Sequence, residues 1–377
     1  ALKTTLGRIF KKKEASDGSM TPFQAVCTAL AGTVGTGNIA GVAGAIAIGG
    51  PGAVFWMWVS ALLGMCTKFT EVTLAVHFRE RNRHGDYVGG PMYYIKNGLG
   101  KNWRFLAVLY SAFGVLTVFG TGNATQVNTI TTAIDTALIN FNVISESSTG
   151  RLNLILGIVI TLLVGMVLLG GIKRIGSVSE KLVPFMALFY IVLALGVVIL
   201  NIGRVPAVFH DIVYGAFNPS AVTGGVVGTM IVSMQKGVAR GIFSNEAGLG
   251  SAPIAAAAAQ TKEPVRQGLV SMTGTFIDTI VICTMTGLSI VLTGAWQVEG
   301  LEGVQVTTYA FQNGLPFSNQ FCAAVLMICL VFFAFTTILG WDYYGERCLE
   351  YLTGKDEKKI KIYRWLYILA VFIGPYM

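Results

Sequence analysis

Charge is what this sequence has least of. Of its 377 residues only 12% are Asp, Glu, Lys or Arg, about half the share a soluble globular chain carries. So few charges cannot clothe a water-facing surface, which excludes an ordinary soluble protein. Histidine is rarer still: His77, His84 and His210 are the only three, and their scatter makes no metal cluster. The six cysteines (Cys27, Cys66, Cys283, Cys322, Cys329, Cys348) include no Cys-x-x-Cys pair and sit mostly in or beside apolar stretches. Neither disulfides nor a metal site follow from them. Net charge is +8, yet the basic residues are dispersed between apolar runs, so no nucleic-acid patch is expected. The apolar runs also hold no Ser/His, His/Glu or paired-Asp arrangement, which speaks against an intramembrane enzyme. They hold no rings of like charge, which speaks against a channel.

What is present is apolar sequence, 53% of the chain, with a mean hydropathy of +0.65. Runs at about 22–49, 52–78, 103–138, 151–171, 182–203, 220–260, 268–294, 316–340 and from 363 onward read as membrane spans, since about 20 apolar residues cross a ~30 Å hydrocarbon core. Lys and Arg crowd every second connection: 79–104, 173–181, 262–266 and 347–364. The connections at 139–150 and 295–315 carry acids alone. By the positive-inside rule the first span then runs from cytoplasm to exterior, and the basic segment 1–21 is cytoplasmic. The chain starts at Ala1 and stops inside an apolar run, so both ends are expected to be incomplete. His84–Asn97 reads as an ordered cytoplasmic loop, and Trp296–Leu315 as a short external lid.

Two spans contain sequence that a membrane helix should avoid. The first reads Gly32-Thr33-Val34-Gly35-Thr36-Gly37-Asn38 at its middle. Each glycine costs about 1 kcal/mol relative to alanine in a helix interior, and every backbone group freed in hydrocarbon costs several more. Such a break survives where polar ligands take the freed groups, as at the midplane of secondary transporters. A small-residue packing face accounts for Gly41 and Gly44 but not for the central stretch. The sixth span is similarly interrupted at Ser233–Gly241, with Ser233 and Gln235 as polar candidates there. The two breaks are five spans apart and antiparallel by the loop count, the pattern of an inverted repeat. Residues 22–203 form the first repeat and 204–377 the second.

The stretches Gly49-Gly50-Pro51-Gly52-Ala53-Val54-Phe55-Trp56-Met57-Trp58-Val59-Ser60-Ala61-Leu62-Leu63-Gly64 and Gly237-Val238-Ala239-Arg240-Gly241-Ile242-Phe243-Ser244-Asn245-Glu246-Ala247-Gly248-Leu249-Gly250 resemble signatures of the sodium:alanine (alanine/glycine:cation) symporter family, and the similarity runs over nearly the whole chain. The resemblance implies an all-α polytopic membrane protein with a five-plus-five inverted repeat and two discontinuous helices, here without the family's first and last helices. It implies sodium-coupled uptake of a small amino acid at the cell membrane, and no enzyme activity. Val34-Gly35-Thr36-Gly37-Asn38 more distantly resembles the unwound first helix of the bacterial leucine transporter. Carried over, the amides of Thr36 and Gly37 meet the substrate carboxylate. The carbonyls of Ala31 and Val34 hold one sodium, completed by the hydroxyls of Thr336 and Thr337. The carbonyl of Thr33 and the side chain of Asn38 face another.

The remaining polar groups in the spans each have two readings. Gln126 and Asn123 reach substrate or stitch helices together. Trp341, one turn beyond Thr337, is a pocket wall or an interfacial anchor. Asp278 is a cation ligand or a partner for Arg240 or Lys236, with the pair favoured. Arg240 and Glu246 read as a cytoplasmic-side charge network, and Lys68 with Glu71 as a snorkelling ion pair. Proton-driven amino-acid transport is the alternative to sodium coupling. Oligomeric state cannot be read from the sequence.

Overall fold

A computed structural model of the chain describes residues 18–218, 230–354 and 356–376. Most of the basic segment, the opening of the sixth span and Lys355 lie outside the described residues.

The chain folds as helices from the start. Helix α1 is Pro22–Thr33. Thr21 and Gln24 form a reciprocal capping box before it, with Pro22 at its first position. A single 3₁₀ turn, Thr36–Asn38, separates it from α2, Ala40–Gly49, and the two helices bend by 61°. Helix α3 (Gly52–His77) returns across the molecule. A short hairpin, Glu80–Arg81 paired with Tyr87–Val88, and helix α4 (Pro91–Tyr94) follow. Then come α5 (Arg104–Phe119), α6 (Thr125–Asn140), α7 (Thr149–Leu168), α8 (Gly171–Leu200) and α9 (Val205–Phe217). The second half brings α10 (Met230–Asn245), α11 (Ser251–Ala256), α12 (Pro264–Thr275), α13 (Thr284–Thr293), α14 (Val304–Gly314), α15 (Asn319–Leu352) and α16 (Glu357–Ile373).

Among the described residues six helices or continuous helical runs are long and apolar enough to cross a membrane, and the bent pair α1–α2 makes a seventh. Their outer faces carry exposed large apolar side chains such as Leu62, Leu63, Leu116, Leu162 and Leu188, which in a bilayer face lipid. Two of these runs contain π-helical segments: Gly120–Ala124 joins α5 to α6, and Phe276–Cys283 joins α12 to α13. Such segments free backbone groups and often mark functional sites. Here Thr125 Oγ1 donates to the Gly120 carbonyl and Gln126 Nε2 to that of Thr121.

The structure moves one expected feature. The interruption expected at Ser233–Gly241 is continuous helix, α10, and the chain unwinds later, between Asn245 and Ser251. Gly237 and Gly241 are there for packing: a Cβ at Gly237 would strike the Ala53 carbonyl, and one at Gly241 would lie 2.8 Å from Ser60 Oγ. The unwinding is produced instead by Gly248 (φ 88°), Gly250 (φ 76°) and, unusually for a non-glycine residue, Glu246 (φ 54°).

Candidate functional site

At the first break the backbone runs out of internal partners at both ends. Val34 still donates to the Leu30 carbonyl, and Gly35 donates to Asn38 Oδ1 at 2.9 Å. Beyond that, the carbonyls of Ala31, Thr33 and Val34 accept nothing and the amides of Thr36 and Gly37 donate to nothing among the described residues. One end of the break thus presents lone pairs and the other presents N–H groups. The groups nearer α2 are tied down by neighbours: Thr286 Oγ1 donates to the Asn38 carbonyl (2.8 Å) and Thr307 Oγ1 to that of Ile39 (3.2 Å).

Asn38 locks the break to the second half. Its Nδ2 donates to Asp278 Oδ1 at 2.6 Å and to Ser244 Oγ at 2.9 Å, while Thr279 Oγ1 donates to Asp278 Oδ2. Asp278 is fully buried in the π segment. The expected pairing of Asp278 with Arg240 or Lys236 is not formed; hydroxyl and amide donors surround the carboxylate instead.

The break lines a cavity of about 1200 Å³. Gly32, Thr33, Gly35, Thr36 and Gly37 line it together with Gln126 and Trp341, and so do residues 300–305 with Thr308 and Tyr309. Part of the 295–315 connection thus belongs to its lining. Gln126 accepts from Thr36 Oγ1 at 3.2 Å, whereas Asn123 donates to the Tyr367 carbonyl and stitches α16 to the π segment. Trp341 is a wall: its Nε1 donates to the Gly32 carbonyl at 3.2 Å and its base fills the place of a side chain at Gly122. Ser233 is buried away from the cavity, and Gln235 is exposed on the far side of α10.

Of the two threonines expected at a sodium site, Thr337 lines the cavity beside the break, and a Cβ at Gly35 would come within 2.7 Å of its Oγ1. Thr336 turns toward Met186 of α8 and donates to the Phe332 and Phe333 carbonyls. Thr337 Oγ1 donates to the Phe333 carbonyl, which leaves its lone pairs available, and lone pairs are what a hard cation binds.

The charges fall into two groups rather than one network. Glu246, at the second break, accepts from Ser251 Oγ, and its backbone carbonyl accepts from Lys68 Nζ at 3.1 Å. Lys68 and Glu71 lie 3.5 Å apart and are buried, and Glu71 accepts from the Gly248 amide. The expected snorkelling pair therefore clamps the unwound segment. Arg240, on α10, lines the cavity as Glu246 does, but shares no ion pair with it. On the opposite face Arg79 donates to the Ala257, Ala259 and Thr261 carbonyls, and Met20 bridges to Ala259, closing the bundle.

Sequence reasoning missed the cavity wall formed by Thr117, Thr121, Thr125, Thr129, Thr132 and Thr136. Their spacing of three and four puts them on one helix face, and that periodicity was the available signal. In the apolar run 103–138, threonine at each turn is a polar stripe.

The whole chain, residues 1–377, matches the family model described as the sodium:alanine symporter family. An uncharacterised transporter of Haemophilus influenzae is 53% identical over 378 residues, covering all of this chain and 79% of that protein. The sodium/alanine symporter AgcS of Methanococcus maripaludis is 47% identical over 366 residues, covering 96% of this chain and 76% of AgcS. Among solved structures, MhsT in complex with L-phenylalanine superposes with a TM-score of 0.57 at 14% identity, covering 97% of this chain and 81% of MhsT. At that identity the likeness concerns the fold, which is the leucine-transporter type.

Proposed function

The chain belongs to the sodium:alanine symporter family, and from that premise we propose that it moves a small neutral amino acid, alanine or glycine, into the cell together with sodium by alternating access. It is a multi-pass membrane transporter and not an enzyme. The observation that carries the finer reading is the break itself. Among the described residues the carbonyls of Ala31, Thr33 and Val34 and the amides of Thr36 and Gly37 are unpaired, and Thr33, Thr36 and Gly37 line one cavity. A zwitterion and a cation are what such a pair of ends can take: N–H groups at a helix start favour a carboxylate, and carbonyl oxygens favour a hard cation.

In this reading Thr337 joins the Ala31 and Val34 carbonyls around sodium, with Thr336 supporting from behind. The Thr33 carbonyl and the Asn38 side chain are the candidates for a second sodium, with Asp278 hydrogen-bonded to Asn38. Gln126 and Trp341 bound the substrate side. With the Lys/Arg-rich face taken as cytoplasmic, the cavity is open to the exterior and the Lys68–Glu71–Glu246 clamp closes the inside. Uptake of labelled alanine into proteoliposomes under a sodium gradient, a proton gradient or none tests the proposal. Saturable uptake driven by sodium, displaced by alanine and glycine but not by leucine or glutamate, is the expected result. Uptake driven by protons alone would replace sodium in the scheme, and displacement by glutamate or a sugar would end it.

A further inference from the structure

Arg240 crosses from α10 to the broken helix, and its guanidinium occupies the space where side chains at Gly37 and Gly41 would be. These two glycines are four residues apart, on one face of the chain as it enters α2. The Phe243 ring supports the cation from its own helix, 5.0 Å from ring centroid to Cζ. The side chain lines the cavity. Its Nε and Nη2 are buried and donate to nothing, and no carboxylate pairs with it among the described residues. Asp278, the partner expected from the sequence, is taken up by Asn38 and Thr279, and the Glu246 carboxylate by Ser251. A buried charged donor left without an acceptor is costly, and the described residues supply none for these two nitrogens.

The ligand that suits this position is defined by its chemistry. Two nitrogens of a planar fork match the two oxygens of a carboxylate. The guanidinium reaches Gly37, whose own amide is free alongside that of Thr36. We infer that Arg240 is a second anchor for the substrate carboxylate, closing on it from α10 while the amides of Thr36 and Gly37 hold it from the broken helix. The inference rests on the cavity being the substrate site. A carboxylate gripped by both discontinuous spans would tie together the elements that alternating access must move.

The test is equilibrium binding of labelled alanine to the purified full chain at saturating sodium, with alaninamide as competitor. Alaninamide keeps the methyl and ammonium groups and replaces the carboxylate by a neutral amide. The unaltered protein should prefer alanine, and Arg240→Gln should shrink that preference on the order of 10- to 100-fold, as expected for a lost charge-assisted hydrogen bond. Arg240→Lys, which keeps the charge without the fork, should fall between. An unchanged preference in both variants overturns the inference. Where Arg240→Gln does not yield folded protein, Arg240→Lys carries the same ratio. Replacing chloride by gluconate separates the two sources of an anion: the preference and its loss in the variants should persist. Alanine binding that collapses without chloride would assign Arg240 to a free anion and overturn the carboxylate role. Failure of the transport reading looks different, because the unaltered protein would then bind neither alanine nor glycine.

Discussion

Gly41 has no side chain because Arg240 uses the space. A Cβ there would overlap the guanidinium, whereas one at Gly44, a single turn on, would meet nothing within 4 Å. The obstruction is the far end of a flexible side chain, so Gly41→Ala should leave the fold intact and push the guanidinium aside. Thermal unfolding of Gly41→Ala should stay within a few degrees of the unaltered protein while alanine affinity falls as it does in Arg240→Gln. Gly44→Ala should bind normally and gain up to about 1 kcal/mol from helix propensity. Equal affinities in Gly41→Ala and Gly44→Ala would show that the glycine seat has no bearing on binding. From sequence, both glycines looked like a small-residue packing stripe. The partner of Gly41 is remote in the chain, so nothing local distinguished the two.

Thr337 poses a similar problem of two readings for one side chain. Its hydroxyl donates to the Phe333 carbonyl, as membrane threonines commonly do, and it also faces Gly35 at the break. A cation ligand and a self-capped hydroxyl predict different data. Thr337→Ala should raise the sodium concentration for half-maximal uptake about tenfold, with alanine affinity at saturating sodium near normal, and Thr337→Ser should behave almost as the unaltered protein. Thr336→Ala should act more weakly, because Thr336 faces Met186 and not the cavity. If neither alanine variant shifts the sodium dependence, the hydroxyls only serve their own helix.

At the scale of elements the two breaks are held by different means. Threonines and Asn38 tie the first to its neighbours, whereas the second is clamped by charge. Lys68 and Glu71 are one turn apart on α3 and both buried, and they grip the Glu246 carbonyl and the Gly248 amide. Removing one partner of a buried pair leaves a charge without compensation, at roughly 3–5 kcal/mol, while removing both is often close to neutral. Lys68→Met should therefore lower the unfolding temperature sharply, and Lys68→Met with Glu71→Met should recover much of the loss. A double variant no more stable than the single would mean that the pair carries no such coupling.

The placement of these breaks shows what was legible and why. The first was plain in the sequence, since three glycines and two threonines within an apolar run have no helical use. In the sequence Gly237 and Gly241 look the same as break residues, which puts the second break too early. In space they are the points where α10 meets Ala53 and Ser60 of α3. The true unwinding needs Glu246 at φ 54°, a backbone state that residue type alone does not announce. The spacing of Lys68 and Glu71 reads as a pair, and they form one. Their role was hidden, because the group they hold lies on another helix.

At the scale of the whole molecule the question is what drives accumulation. Alanine is a zwitterion and adds no net charge, so with one sodium each cycle carries a single positive charge inward. One charge crossing 100 mV is worth about 2.3 kcal/mol, or roughly 50-fold in concentration, since about 1.4 kcal/mol is tenfold. With sodium equal on both sides of a proteoliposome, an inside-negative potential of about 100 mV should therefore raise the steady-state alanine ratio toward ~50-fold. Two coupled sodium ions would square that ratio, so its size counts the net charge moved. Proton coupling gives the same potential dependence, which makes sodium removal the deciding control. Accumulation that survives in choline medium, at fixed pH and potential, would move the driving role from sodium to the proton. The fold itself would be untouched by that result; only the sodium role proposed for the unpaired carbonyls at the end of α1 would be given up.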